Sequence, residues 1–200
     1  VPLLPRHRQK ELSGSVTNDY DYDLSPTPLL PSPLLLHCSI KKGMTMLEKN
    51  QTAPAFSTPN QHNEMISLSD YKGNKNVVLY FYPKDDTPGC TIEANQFTAL
   101  AGEFAKADSV VLGVSKDSCE SHQAFIDKFG LEVELLADTT GELCDSYGAW
   151  QEKEKKGVKK MGIVRSTFVI DKAGELVDAM YGVSADGHAQ EMLEKVKELK

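Results

Sequence analysis

From Thr52 onward the apolar positions alternate between short unbroken runs and helical spacings. VVLYFY (77–82) is a continuous β-branched and aromatic run, which predicts a strand buried on both faces. It stops at Pro83 and the turn-rich KDDTPG. Phe97, Leu100, Ala101 and Phe104 then fall at i, i+3, i+4 and i+7, which predicts one helix over 91–105. SVVLGV (109–114) reads as a second buried strand, and 120–129 as a helix closed by Gly130 at its C′ position. VELLA (133–137) is a third strand, followed by a short helix near 141–147. STFVID (166–171), Ala173-Gly174 and ELVDAMY (175–181) predict a strand, turn and strand hairpin. A last helix over 187–199 places Ala189, Met192, Leu193, Val196 and Leu199 on one face. Elements alternating in this way predict an α/β fold, a central β-sheet with helices on both faces. The closing hairpin makes that sheet mixed.

The first 43 residues follow neither pattern. They hold six of the ten prolines, an acidic DYDYD run and the proline-broken SPTPLLPSPLLL. Such a segment has no apolar face to bury, and disorder is its default. Its Leu-rich piece lacks the basic flank of a secretory signal. The expectation is a non-native or disordered tail over 1–43 and a working domain over 44–200, starting near Met44. An organellar transit peptide is the alternative.

Composition narrows the partners. A net charge of −7 disfavours nucleic acid and anionic membranes, both of which require a basic face. No run of 18 apolar residues is present, so no membrane-spanning helix is expected. Cys38, Cys90, Cys119 and Cys144 stand far apart, without a CxxC or any Cys/His spacing for zinc. That suits a cytoplasmic chain with reduced thiols, and no metal or cofactor is expected.

Context separates Cys90 from the other three. It follows a buried strand and a tight turn, and it opens an amphipathic helix. Unpaired backbone N–H groups and the positive end of the helix dipole converge there, and both favour an anion. The thiolate is the nucleophilic form of cysteine. Thr87 lies within reach to donate its hydroxyl to a bound oxygen or to the sulfur. Pro83 fixes the strand exit and offers an apolar wall against water.

In the frame Pro83-x-x-x-Thr87-x-x-Cys90, FYPKDDTPGCTIEA resembles the active-site segment of the peroxiredoxins, in particular the Q-type branch. The similarity runs from about Leu47 to the C-terminus and includes APAFSTPN, LSDYKG, GVSKDSCESHQAF, LLADTTGELCDSYGAW, GIVRSTFVID and GHAQEMLE. The resemblance implies a thioredoxin-like fold and a thiol peroxidase that reduces hydrogen peroxide and organic hydroperoxides. It implies Cys90 as the peroxidatic cysteine in a pocket with Thr87 and Pro83. Arg165 matches the family's catalytic arginine, and Glu93 is a supporting residue. A guanidinium near sulfur stabilises the thiolate and holds peroxide oxygens. The resemblance further implies a monomer or weak homodimer.

The chain departs from the family in one respect. The resolving cysteine that many Q-type members carry five residues after the first is Asn95 here, and the other usual position aligns with Ile126. The expected mechanism therefore uses one cysteine, with thioredoxin or a low-molecular-weight thiol as reductant. Cys119, at the start of a helix, keeps internal resolution open, whereas Cys144 reads as packed. A thioredoxin-like disulfide oxidoreductase is disfavoured because Thr87-Pro88-Gly89-Cys90 lacks the first cysteine of CxxC. A redox sensor or holdase using Cys90 is the non-enzymatic alternative.

Overall fold

Strand β3 (Asn76–Phe81) is buried at every position, and its alternation sorts the core into two layers. Val78 and Tyr80 point into one layer; Val77, Leu79 and Phe81 point into the other. The computed structural model describes residues 46–155 and 157–199. The expected tail over 1–43, with Cys38, lies outside the described residues.

After a small hairpin of β1 (Ser57–Pro59) and β2 (Met65–Ser67), the chain enters β3. There follow α1 (Pro88–Ala99), α2 (Ala101–Lys106), β4 (Ser109–Ser115), α3 (Cys119–Phe129), β5 (Glu134–Ala137) and α4 (Glu142–Ser146). A second hairpin, β6 (Trp150–Lys155) and β7 (Val158–Ile163), precedes β8 (Ser166–Ile170), β9 (Leu176–Tyr181) and α5 (His188–Lys197). The main sheet has the order β5-β4-β3-β8-β9. β3, β4 and β5 run parallel, while β8 is antiparallel to both β3 and β9. This is the expected mixed sheet with a terminal hairpin. Residues of α1, α2, α3 and α5 pack into the layer on one face, and those of α4 into the layer on the other.

Two local readings change. The single helix expected over 91–105 begins earlier, at Pro88, and breaks at Leu100, whose φ of −105° and ψ of 3° leave the helical region. The Leu100 N–H bonds back to the carbonyl of Phe97 rather than one residue further. Phe97, Leu100 and Phe104 nonetheless share one apolar layer, so the spacing continues through the break. The β6–β7 hairpin lies where no element was expected. Its strands pair from Trp150↔Ile163 to Lys155↔Val158, and WQEKEK carries too few apolar residues to show strand alternation.

Candidate active site

Thr87 is the N-cap of α1, in extended conformation, and Pro88 occupies the first turn, where its missing N–H costs nothing. Cys90 therefore sits in that turn, at the carboxyl end of the central strand. The Thr91 N–H already closes onto the Thr87 carbonyl at 2.8 Å. The side chain of Cys90 is only 3% exposed and joins the layer that contains Tyr80, Tyr82, Ala94 and Phe97.

Arg165 reaches the same point from a distant part of the sequence. Because β8 runs antiparallel to β3, the end of one strand meets the beginning of the other, with Phe81 opposite Ser166. Arg165 immediately precedes Ser166, and its carbonyl accepts from the N–H groups of Gly182 (2.8 Å) and Val183 (3.1 Å). Its guanidinium makes two contacts at once. Nη2 donates to Cys90 Sγ at 3.2 Å, and Nη1 donates to Glu93 Oε2. Burial opposes the Arg165 charge, but Glu93 and Cys90 outweigh it and hold the guanidinium above its ordinary pKa. Glu93, one helical turn after Cys90, is wholly buried and also accepts from His188 Nδ1 at 2.8 Å.

Other expected residues take different places. The Thr87 hydroxyl donates to the Lys84 carbonyl at 3.0 Å, so its proton is engaged and the oxygen keeps acceptor capacity. Pro83 lies two residues beyond β3 and is exposed, while the buried apolar layer around Cys90 contains Tyr80, Tyr82, Ala94 and Phe97. Asn95 is exposed and Ile126 half-buried. Cys119 is the first residue of α3, half-buried, with its sulfur 4.0 Å from Asn63 Oδ1. Cys144 is fully buried. Its thiol is pushed up by burial and by the Asp138 carboxylate, which accepts the Cys144 N–H at 2.7 Å. Cys90, Cys119 and Cys144 are all free thiols.

Three features of the surroundings escape sequence reading. His188 is a buried histidine outside any metal or catalytic spacing. Lys153, on β6, donates Nζ to the Ile163 carbonyl and lies in the field of the site: burial and Arg165 push its pKa down, and Cys90 opposes them. The third is a buried network under the 83–87 loop. Asp85 accepts from Tyr82 Oη (2.7 Å) and Ser121 Oγ (2.7 Å) and meets His122 Nδ1 at 2.9 Å. The other ring nitrogen of His122 lies 3.2 Å from the Leu136 carbonyl. The ring thus bridges the Asp85 carboxylate and the Leu136 carbonyl. Asp85 thereby ties the loop between Cys90 and β3 to helix α3.

A mixed sheet with a cysteine at a helix start, met by an arginine at the entrance to the adjacent antiparallel strand, defines a thiol-dependent oxidoreductase of the thioredoxin-like class. The chain belongs to the AhpC/TSA family, which matches residues 50–179, and within it to the Q-type (Bcp) peroxiredoxins. It is 46% identical over 147 residues to a Coxiella burnetii protein named putative peroxiredoxin bcp, covering 74% of this chain and 97% of that one. Identity to the Bacillus subtilis peroxiredoxin Bcp is 44% over 153 residues, 76% of this chain and 97% of the relative. Among solved structures, a cysteine-to-serine variant of Xylella fastidiosa PrxQ superposes with a TM-score of 0.71 at 37% identity, covering 78% of this chain and 99% of that one. The Xanthomonas campestris bacterioferritin comigratory protein, described by its alkyl peroxide reduction activity, gives 0.68 at 38% identity, with coverages of 72% and 91%. The chain is accordingly a thiol peroxidase that reduces hydroperoxides. Among the described residues no helix is long and apolar enough to cross a membrane.

Proposed function

We propose that Cys90 is the peroxidatic residue, with Arg165, Glu93 and Thr87 as its working neighbours. The observation that carries this reading is the 3.2 Å contact between Arg165 Nη2 and Cys90 Sγ at the start of α1. The thiolate attacks one peroxide oxygen, an S–O bond forms and the O–O bond breaks. The electron pair leaves with the second oxygen, which takes a proton to become water or an alcohol. Sulfur is oxidised to a sulfenic acid. Arg165 and the unpaired N–H groups of the helix start stabilise the negative charge as it moves from sulfur to oxygen. Thr87, with its proton engaged on Lys84, accepts the hydrogen of the incoming peroxide. Pro83 sets the strand exit that aims the loop.

Reduction of the sulfenic acid falls to an external thiol, thioredoxin or a small thiol. The first thiol expels water to form a mixed disulfide, and a second releases Cys90. The half-buried Cys119, held near Asn63 at the head of α3, is a bystander in this reading. We assign the activity to residues 44–200, acting in the cytoplasm as a monomer or weak homodimer, with an organellar site if 1–43 is a transit peptide. Peroxide consumption driven by NADPH, thioredoxin reductase and thioredoxin, wild type against Cys90→Ser, tests the reading. Fast turnover lost in the variant is the expected result. Equal rates in both would overturn it.

A further inference from the structure

We propose that His188, the first residue of the C-terminal helix, is a positioning residue of the peroxidase site that acts on Cys90 through Glu93 and Arg165. The inference rests on the reading of Cys90 and Arg165 given above.

The chain of contacts is continuous. Cys90 Sγ meets Arg165 Nη2, Arg165 Nη1 donates to Glu93 Oε2, and Glu93 Oε1 meets His188 Nδ1 at 2.8 Å. Glu93 and His188 are both fully buried, so neither finds water as a substitute partner. A carboxylate only accepts, which puts the proton of His188 on Nδ1. Its Nε2 is buried without a hydrogen-bond partner among the described residues. The ring is thus the donor in its contact with Glu93. It fixes one oxygen of Glu93 and leaves the other to align Arg165.

The position of His188 is itself constrained. Gln96, on the same helix as Cys90, donates Nε2 to Asp186 Oδ1 at 2.8 Å and accepts the Gly187 N–H on Oε1 at 3.1 Å. Gly187 makes the turn into α5 at a φ of +77°, a conformation that side-chain-bearing residues rarely adopt. The His188 ring packs edge-on against Phe97, with centroids 5.6 Å apart. Charged and titratable groups face this chain from several elements: Tyr80 on β3, Cys90 and Glu93 on α1, Lys153 on β6 and Arg165 before β8. Among these, Glu93 and Arg165 hold opposite charges that must stay in register with sulfur. Without the His188 N–H, Glu93 keeps a buried oxygen with no donor. It then rotates, and Arg165 loses the clamp that aims it.

The test compares the single-turnover rate with hydrogen peroxide in wild type, His188→Leu, His188→Asn and His188→Gln, all measured well below their unfolding temperatures. Asn can place an amide N–H where Nδ1 stands, while Gln carries it to the far side of the ring position. His188→Leu is expected to slow the reaction about tenfold, and His188→Asn to recover to within about threefold of wild type. His188→Gln is expected to stay slow, and it replaces the Leu variant if that protein fails to fold. In a Glu93→Gln background the His188 change should add less than a twofold effect, because the two act as one unit. A folded Leu variant within twofold of wild type, an Asn variant as slow as the others, or additive effects would each overturn the proposal. Cys90→Ser, run alongside, separates this outcome from failure of the underlying assignment: an active Ser variant would refute the site itself.

Discussion

Replacing Arg165 with Met keeps the bulk of the side chain and removes the guanidinium. Two partners lose it together: Cys90 Sγ at 3.2 Å and the wholly buried Glu93 carboxylate. A unit charge at that distance from a thiolate, at an effective dielectric of about 20, is worth about 5 kcal/mol of Coulomb energy. Only the fraction that grows as charge moves onto the leaving oxygen lowers the barrier. Loss of one preorganised donor of this kind typically costs about 2.7–4 kcal/mol, or about 10²–10³-fold in rate. The expected result for Arg165→Met, and for Arg165→Ala, is a loss in that range in the second-order rate constant with hydrogen peroxide. Arg165→Lys supplies one Nζ where the native side chain uses two nitrogens, so it can satisfy sulfur or Glu93 but not both; about a tenfold loss is expected. Stopped-flow single-turnover measurements give these rates. They belong well below the unfolding temperature, because breaking a buried ion pair costs about 3–5 kcal/mol of stability. A folded Arg165→Met variant within twofold of wild type would remove Arg165 from the site.

Further outcomes follow from other parts of the structure. Burial raises the Asp85 carboxyl, but hydrogen bonds from His122, Tyr82 and Ser121 outweigh it and leave the pKa below its ordinary value. Its contribution to stability is therefore fully present above the unfolded pKa of about 3.9 and is lost as pH falls through the folded value. Asp85→Ala should lower neutral-pH stability by about 3–5 kcal/mol in urea melts and make the acid limb shallower; an unchanged midpoint would refute the buried pair. A Cβ on Gly113 would stand 2.6 Å from Tyr80 Oη and 2.7 Å from Leu135 Cδ2, both fully buried, so Gly113→Ala should destabilise by about 1–3 kcal/mol. Alkylation mapped by mass spectrometry should leave Cys144 last, since burial and Asp138 push its thiol up. After one equivalent of peroxide the intact monomer should carry an added oxygen on Cys90, and loss of two hydrogens instead would indicate an internal disulfide.

What could be read from the sequence depended on how far apart the cooperating residues lie. β3, β4 and β8 are dense in β-branched and aromatic side chains, and each stands within a residue of its expected bounds. Gly130 closes α3 with the left-handed φ of 63° anticipated for it. The break at Leu100 was invisible because apolar spacing reports burial, and burial continues across the kink. The β6–β7 hairpin stayed hidden because alternating Glu and Lys look like a solvated loop, although Lys153 turns toward the Ile163 carbonyl. The placement of Cys90 and Thr87 at the start of α1 was legible through local turn chemistry, but the Thr87 proton, expected on a bound oxygen or the sulfur, lies on the Lys84 carbonyl. Arg165 became visible only through resemblance, and His188 not at all, since nothing near either one in sequence reports a partner on α1.

The antiparallel pairing of β8 with β3 also has a consequence for biosynthesis. Cys90 and everything needed to open α1 leave the ribosome long before Arg165, and His188 follows later still. Until β8 docks beside β3, the cysteine stands at a helix start with no guanidinium against its sulfur. That long-range pairing carries a loop-closure entropy cost. On the roles proposed for Cys90 and Arg165, peroxide reactivity is thus tied to the arrival of β8. A nascent or truncated polypeptide holds a comparatively quiet thiol, and full chemical competence arrives only once the C-terminal third has folded.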